Sequence, residues 1–201
     1  MKAPRVPRGP EADRPPREKP GQIASRPIHR GRVVDLAMDT VRFPDGSTGE
    51  LELVRHSGAA AVVPIIDDTD PGDPELILLR QFRYATGGEL FEVPAGRPDS
   101  DTEPWDVCAR RELEEETGFR PGSLEYLTGI WTTPGFTDEL IHLFLARELT
   151  PGSVATDADE FLATVRMRLS EALDRIDRGD ITDAKSICAL FVASRRIKTG
   201  R

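Results

Sequence analysis

Cysteine and histidine are almost missing from this chain of 201 residues, and each scarcity removes a class of chemistry. Cys108 and Cys188 stand far apart with no paired or metal-ligand spacing, so neither a disulfide framework nor a thiolate metal site is expected. Two small apolar residues in a reducing compartment are the natural reading, and the expected location is the cytoplasm. The three histidines, His29, His56 and His142, have no clustered partners and are assigned no chemical role. Long apolar runs are also lacking: none reaches the length of a membrane span, and the N-terminus has no apolar core of a secretory signal. Net positive charge is absent as well. The formal net charge of -8 argues against general affinity for nucleic acid or membrane surfaces, which takes basic patches. No internal repeat is present.

What is present begins with a stretch rich in proline and arginine. Residues 1–21 hold almost no large apolar side chain, so ordering them would cost more conformational entropy than burial returns. A solvated arm is expected to about residue 27, and Glu11, Asp13 and Glu18 interrupt its basic character. Two strands follow, 33–43 and 50–56, joined by the turn chemistry of Pro44-Asp45-Gly46-Ser47. The continuous apolar run 59–66 suits a buried strand, and further strands are expected at 75–84, 89–94, 124–131, 139–146 and 161–169. Helices are expected over 105–117, from Ser170 with Ser170-Glu171 as its start signal, and from Asp183 to about Ile197. In the last of these, Ile187, Leu190, Phe191 and Ser194 have the spacing of a buried face.

The chemistry concentrates between Ala95 and Phe119. Within the helix 105–117, Glu112, Glu115 and Glu116 fall at i+3 and i+4 and their carboxylates converge, while Gly118 stands where a left-handed C-cap belongs. Clustered like charges need compensation, and a hard divalent cation such as Mg²⁺ or Mn²⁺, which takes oxygen ligands, would provide it. Arg111 is placed to neutralise or orient one carboxylate from the same helix. A merely solvated acidic face would account for the run 111–116 alone. It leaves unexplained the Pro94-Ala95-Gly96 turn before it, Glu103 eight residues before Arg111, and Gly118-Phe119 closing it.

Taken together, Gly96, Glu103, Arg111, Glu112, Leu113, Glu115, Glu116, Gly118 and Phe119 resemble the Nudix box, with one extra residue between Gly96 and Glu103. Flanking segments are similar to ADP-ribose pyrophosphatases: Arg80-Gln81-Phe82-Arg83-Tyr84 before the box, Thr133-Pro134-Gly135-Phe136-Thr137-Asp138-Glu139 after it, and Asp183-Ala184-Lys185-Ser186 near the C-terminus. The resemblance spans roughly residues 29–198. It implies an α/β Nudix fold, a mixed β-sheet sandwiched between helices, with an N-terminal hairpin or strand extension. The domain division expected is an arm at 1–27, N-terminal strands at 28–58 that build a homodimer, and a catalytic domain at 59–201.

The resemblance also implies roles. Glu112 and Glu116 would bind Mg²⁺ or Mn²⁺, with Glu115 as ligand or close support and the Ala95 carbonyl as a further ligand. Arg111 would hold the cluster together. Glu103 is either part of the site or a helix-start carboxylate favoured by the dipole. Arg83 would clamp the diphosphate through its planar fork or, alternatively, form a salt bridge on its strand. Glu92 would contact substrate or orient water, and Phe136 would pack near a sugar or base or serve as a loop plug. The general base would come from the acidic loop holding Asp157, Asp159 and Glu160, with Glu160 preferred and Asp159 second. The activity implied is metal-dependent cleavage of ADP-ribose, or of a related nucleoside diphosphate sugar, to AMP and ribose 5-phosphate. GDP-mannose as substrate, or binding of ADP-ribose without turnover, are the alternatives.

Overall fold

A computed structural model describes residues 19–154 and 161–199. The chain first forms a three-stranded antiparallel sheet from β1 (Gln22–Arg30), β2 (Asp35–Arg42) and β3 (Thr48–Arg55), in that order. The β2–β3 turn is fixed by Asp45, whose carboxylate accepts from the Ser47 N–H at 2.9 Å, with Gly46 at φ +88° beside it. The first strand departs from expectation: the sequence places residues 22–27 in a solvated arm, whereas they pair with β2. Register accounts for the difference: β1 is exposed along nearly its whole length, so it carries no apolar pattern and is held by main-chain bonds to β2.

The second sheet is built around β4 (Ala59–Asp67), β5 (Glu75–Arg83), β8 (Phe119–Trp131), β9 (Leu140–Pro151) and β10 (Leu162–Arg168), in the order β10-β5-β4-β9-β8. Two shorter strands, β6 (Gly88–Glu92) and β7 (Ala95–Gly96), pair with β5 and β4. Only β4 and β9 run parallel, which makes the sheet mixed. Three helices cover it: α1 (Trp105–Thr117), α2 (Leu169–Asp177) and α3 (Ala184–Thr199).

The unbroken apolar run in β4 is explained by these helices. Ala59, Ala61, Val63 and Ile65 pack with Ala172 of α2 and Ala189, Leu190 and Ala193 of α3. Ala60 and Val62, on the other face, pack with Trp105, Cys108, Ala109 and Leu113 of α1. A strand covered on both faces has no polar positions to alternate with. This is the sandwich that the sequence predicts.

Helix ends differ in how they are made. Gly118 closes α1 in the left-handed region at φ +75°, its N–H reaching the Glu114 carbonyl at 2.8 Å. Asp183 caps α3 as expected, accepting from the Ser186 N–H at 3.0 Å. For α2 the expected Ser170 signal is replaced by a cap from another loop: the Asp73 carboxylate accepts from the Ser170 N–H at 2.7 Å and its hydroxyl at 2.8 Å. On α3, Phe191 and Cys188 turn outward, and Ser186, Ala189, Leu190, Ala193 and Ser194 form the buried face instead. No helix among the described residues is long and apolar enough to cross a membrane.

Candidate active site

A cleft of about 960 Å³ opens where the two sheets and the helix ends meet. Its acidic wall comes from α1, which presents Arg111, Glu112 and Glu115. Arg111 organises this wall. One guanidinium nitrogen, Nη1, donates to both Glu112 and Glu115 at 2.9 Å, and Nε donates to Glu103 at 3.1 Å. Burial works against the guanidinium charge, but Glu103, Glu112 and Glu115 outweigh it and raise the Arg111 pKa. Glu103 thus belongs to an ion-pair network that folds the 97–103 loop back on α1, where it also accepts from the Asp99 N–H at 2.8 Å.

Glu116 points elsewhere. It is buried, and its carboxylate accepts from the Ala95 N–H at 2.9 Å, fastening the turn that enters the box. Gly96 follows, and its lack of a side chain is required: a Cβ there would lie 2.0 Å from the Glu112 carboxyl carbon. Ala95 and Gly96 both line the cleft beside Glu112.

These residues suit a divalent cation in kind. The donors gathered around Ala95 and Gly96 are all oxygen, as a hard ion prefers, and the Glu112 carboxylate fills the space left by the missing Gly96 side chain. Among the described residues no three acidic, imidazole or thiol side chains yet converge on one point. Arg111 supplies the positive charge between Glu112 and Glu115, and Glu116 is turned to the Ala95 N–H.

A second group joins the strands just before this turn to the start of α3. Glu92, 1% exposed, accepts from Arg83 through both of its oxygens, at 2.7 and 2.8 Å, and from the Lys185 ammonium. Burial opposes its charge, yet the Arg83 and Lys185 contacts prevail and lower its pKa. Glu92 does not line the cleft, whereas Arg83 and Lys185 both do. The buried carboxylate therefore sets two cations against the cleft rather than reaching a ligand itself. Arg83 forms the salt bridge that sequence offered as the alternative, and its unused N–H donors still leave the clamp available.

Phe136 is not on the cleft wall. The loop holding it is stitched to β3 by Val54 N–H to the Phe136 carbonyl at 2.7 Å, and its ring is 54% exposed. Glu160, Asp159 and Asp157 lie outside the described residues. Lys185, His56 and Glu139 line the cleft without having a role assigned from sequence. Lys185 sits in the first turn of α3, where a cation runs against the helix dipole, and that misfit was its available signal. His56 and Glu139, 3.4 Å apart, come together only through the fold. Burial lowers the His56 pKa, opposed by Glu139.

The NUDIX domain matches residues 55–190, which include the whole of this cleft's acidic helix and its entering turn. The chain belongs to the Nudix family. It is similar to the ADP-ribose pyrophosphatase of Bacillus subtilis, with 38% identity over 170 residues, covering 84% of this chain and 89% of that protein. It is equally similar to the methanol dehydrogenase activator of Bacillus methanolicus, at 38% identity and the same coverage. Among solved structures, one described as an ADP compounds hydrolase superposes with a TM-score of 0.76 at 26% identity, covering 89% of this chain and 94% of the other. Nudix hydrolases generally depend on a divalent metal, and the α1 carboxylates of this Nudix domain are the donors in kind for one.

Proposed function

We propose that this chain hydrolyses the diphosphate of ADP-ribose, or of a closely related nucleoside diphosphate sugar, to AMP and ribose 5-phosphate. The observation that carries the reading is the cleft itself, which brings an all-oxygen carboxylate wall on α1 together with the cations Arg83 and Lys185. Similarity to the ADP-ribose pyrophosphatase of Bacillus subtilis along most of both chains supports the choice of substrate. Ala95, Glu112, Glu115 and Glu116 would hold Mg²⁺, with Mn²⁺ as a substitute. When bound, the ion neutralises charge on the phosphate oxygens.

The chain's own residues do the rest. Arg83 directs its remaining N–H donors at non-bridging phosphate oxygens, and Glu92 keeps its fork oriented. Arg111 holds Glu112 and Glu115 together until substrate and ion arrive. The proton of the attacking water goes to a carboxylate of the acidic loop, Glu160 in the first instance. A homodimer built through the N-terminal sheet and a cytoplasmic location complete the proposal. They are supported by the exposed apolar side chains of that sheet and by two cysteines that remain unpaired.

The test is product analysis on ADP-ribose, GDP-mannose, dinucleotides and nucleoside triphosphates, each with Mg²⁺ and with chelator. Chelator-sensitive release of AMP and ribose 5-phosphate, chiefly from ADP-ribose, is the expected result. Preferred cleavage of GDP-mannose would replace the substrate, and tight binding of ADP-ribose without products would overturn the enzymatic reading.

A further inference from the structure

Between Glu92, which pairs with β5, and Ala95, which pairs with β4, the turn meets its polar requirements through distant elements. β6 ends at Glu92, β7 begins at Ala95, and Pro94 between them has no N–H. The Pro94 carbonyl accepts from the Val62 N–H of β4 at 2.9 Å, and the Ala95 N–H goes to Glu116 of α1. The Val93 N–H, in a residue only 1% exposed, donates to the Ser186 hydroxyl of α3 at 2.8 Å, across 93 positions of sequence.

Ser186 is itself fully buried and its hydroxyl is committed in both senses. It donates to Asp183 Oδ2 at 2.5 Å and accepts from Val93. The same Asp183 oxygen accepts from the Ser186 N–H and the Lys185 ammonium, each at 3.0 Å. The hydroxyl proton is thereby directed to Asp183, which leaves a lone pair for Val93. Removing that acceptor strands a buried N–H two residues before the Ala95 carbonyl, in a turn with no alternative partner from a neighbouring strand.

We propose that Ser186 is a positioning residue for the metal-binding turn: through Val93 it fixes the Ala95 carbonyl and the Ala95–Glu116 hydrogen bond in the arrangement that accepts the ion. This rests on the reading that Ala95 and Glu116 hold a divalent cation. Support residues of this kind are worth roughly ten- to hundredfold in metal affinity. The role differs from general packing, because Ser186 touches the turn through one directed bond.

The experiment is Mn²⁺ titration of the full chain followed by electron paramagnetic resonance, with no nucleotide present, comparing the parent with Ser186→Ala, Ser186→Thr and Ser186→Cys. Ser186→Ala should bind Mn²⁺ about tenfold more weakly while amide exchange at Val93 quickens, and Ser186→Thr, which keeps the hydroxyl, should restore both. Ser186→Cys keeps the volume with a poor acceptor, and should follow Ser186→Ala if the latter folds badly. Mn²⁺ affinity within twofold of the parent in both the Ala and Cys variants overturns the proposal, whatever the substrate is. If those variants weaken Mn²⁺ binding as expected yet the parent leaves ADP-ribose intact, the positioning role stands and the substrate assignment falls.

Discussion

At the residue scale, Gly96 leaves the least room for a side chain among the described glycines. A methyl group there must displace the Glu112 carboxylate, since the flexible end of that side chain occupies the position 2.0 Å away. Gly96→Ala is expected to lower kcat/KM by about a hundredfold, the order of loss that a displacement of about 1 Å produces. The fold should be retained, and comparing rates with circular dichroism of the same preparation checks both. Gly96, Glu112, Glu115 and Glu116 stand out in the motif, and the fold sets Glu112 against Gly96 and Glu116 on the Ala95 N–H. Glu92 was legible as a functional carboxylate but not in its role. Sequence shows a charge but not its burial, and a carboxylate buried beneath two cations serves as their support. Glu92→Gln is expected to raise KM for the diphosphate substrate more than it lowers kcat, measured by steady-state kinetics at saturating Mg²⁺, because both cations lose their anchor while the α1 wall is untouched.

Elements were legible where one pattern fixed them. The bounds of α1 agree with expectation because its start follows Pro104 and its end is a glycine in the left-handed region. β1 was hidden because an exposed edge strand that contains Pro27 and only two separated apolar branched residues, Ile23 and Ile28, has no apolar alternation. The α2 cap was hidden because its carboxylate comes from Asp73, 97 residues before Ser170. His142 of β9, assigned no chemical role from sequence, belongs to the core. It is fully buried, stacked on Trp105 of α1 with ring centroids 4.3 Å apart, and neither ring nitrogen has a hydrogen-bond partner among the described residues. Burial lowers its pKa from the usual 6.5 to about 4. Because the folded pKa lies below the unfolded one, the unfolded state takes up the proton first. Stability is then full above pH 6.5 and falls toward pH 4, at up to about 1.4 kcal/mol per pH unit from this group. His142→Phe keeps the stack and should flatten that slope, as read from urea midpoints between pH 7.5 and about 4.5; an unchanged slope would exclude His142 as its source.

At the scale of the whole molecule, the N-terminal sheet is a separate sheet joined to the sandwich through β3 and the loop at Phe136, and it leaves Ile23, Ile28, Val33, Val34 and Leu51 exposed. That surface, together with the open edge of β1, is the proposed contact between two copies. Sedimentation equilibrium should report a dimer for the parent and a monomer for the double change Ile28→Lys with Leu51→Lys; a monomeric parent would remove the dimer from the proposal. The apolar run of β4 marked a buried strand and the Nudix resemblance implied the sandwich, whereas the convergence of strand ends, α1 and α3 on one turn was not legible, since nothing local in the sequence relates Val93 to Ser186. That pairing has a bearing on how the protein is made. During synthesis the complete box leaves the ribosome well before the residues that seat its entering turn, so a chain interrupted ahead of α3 carries every carboxylate of the motif but no hydroxyl for Val93. On the proposed role of Ser186, full affinity for the ion then arrives only with the final helix.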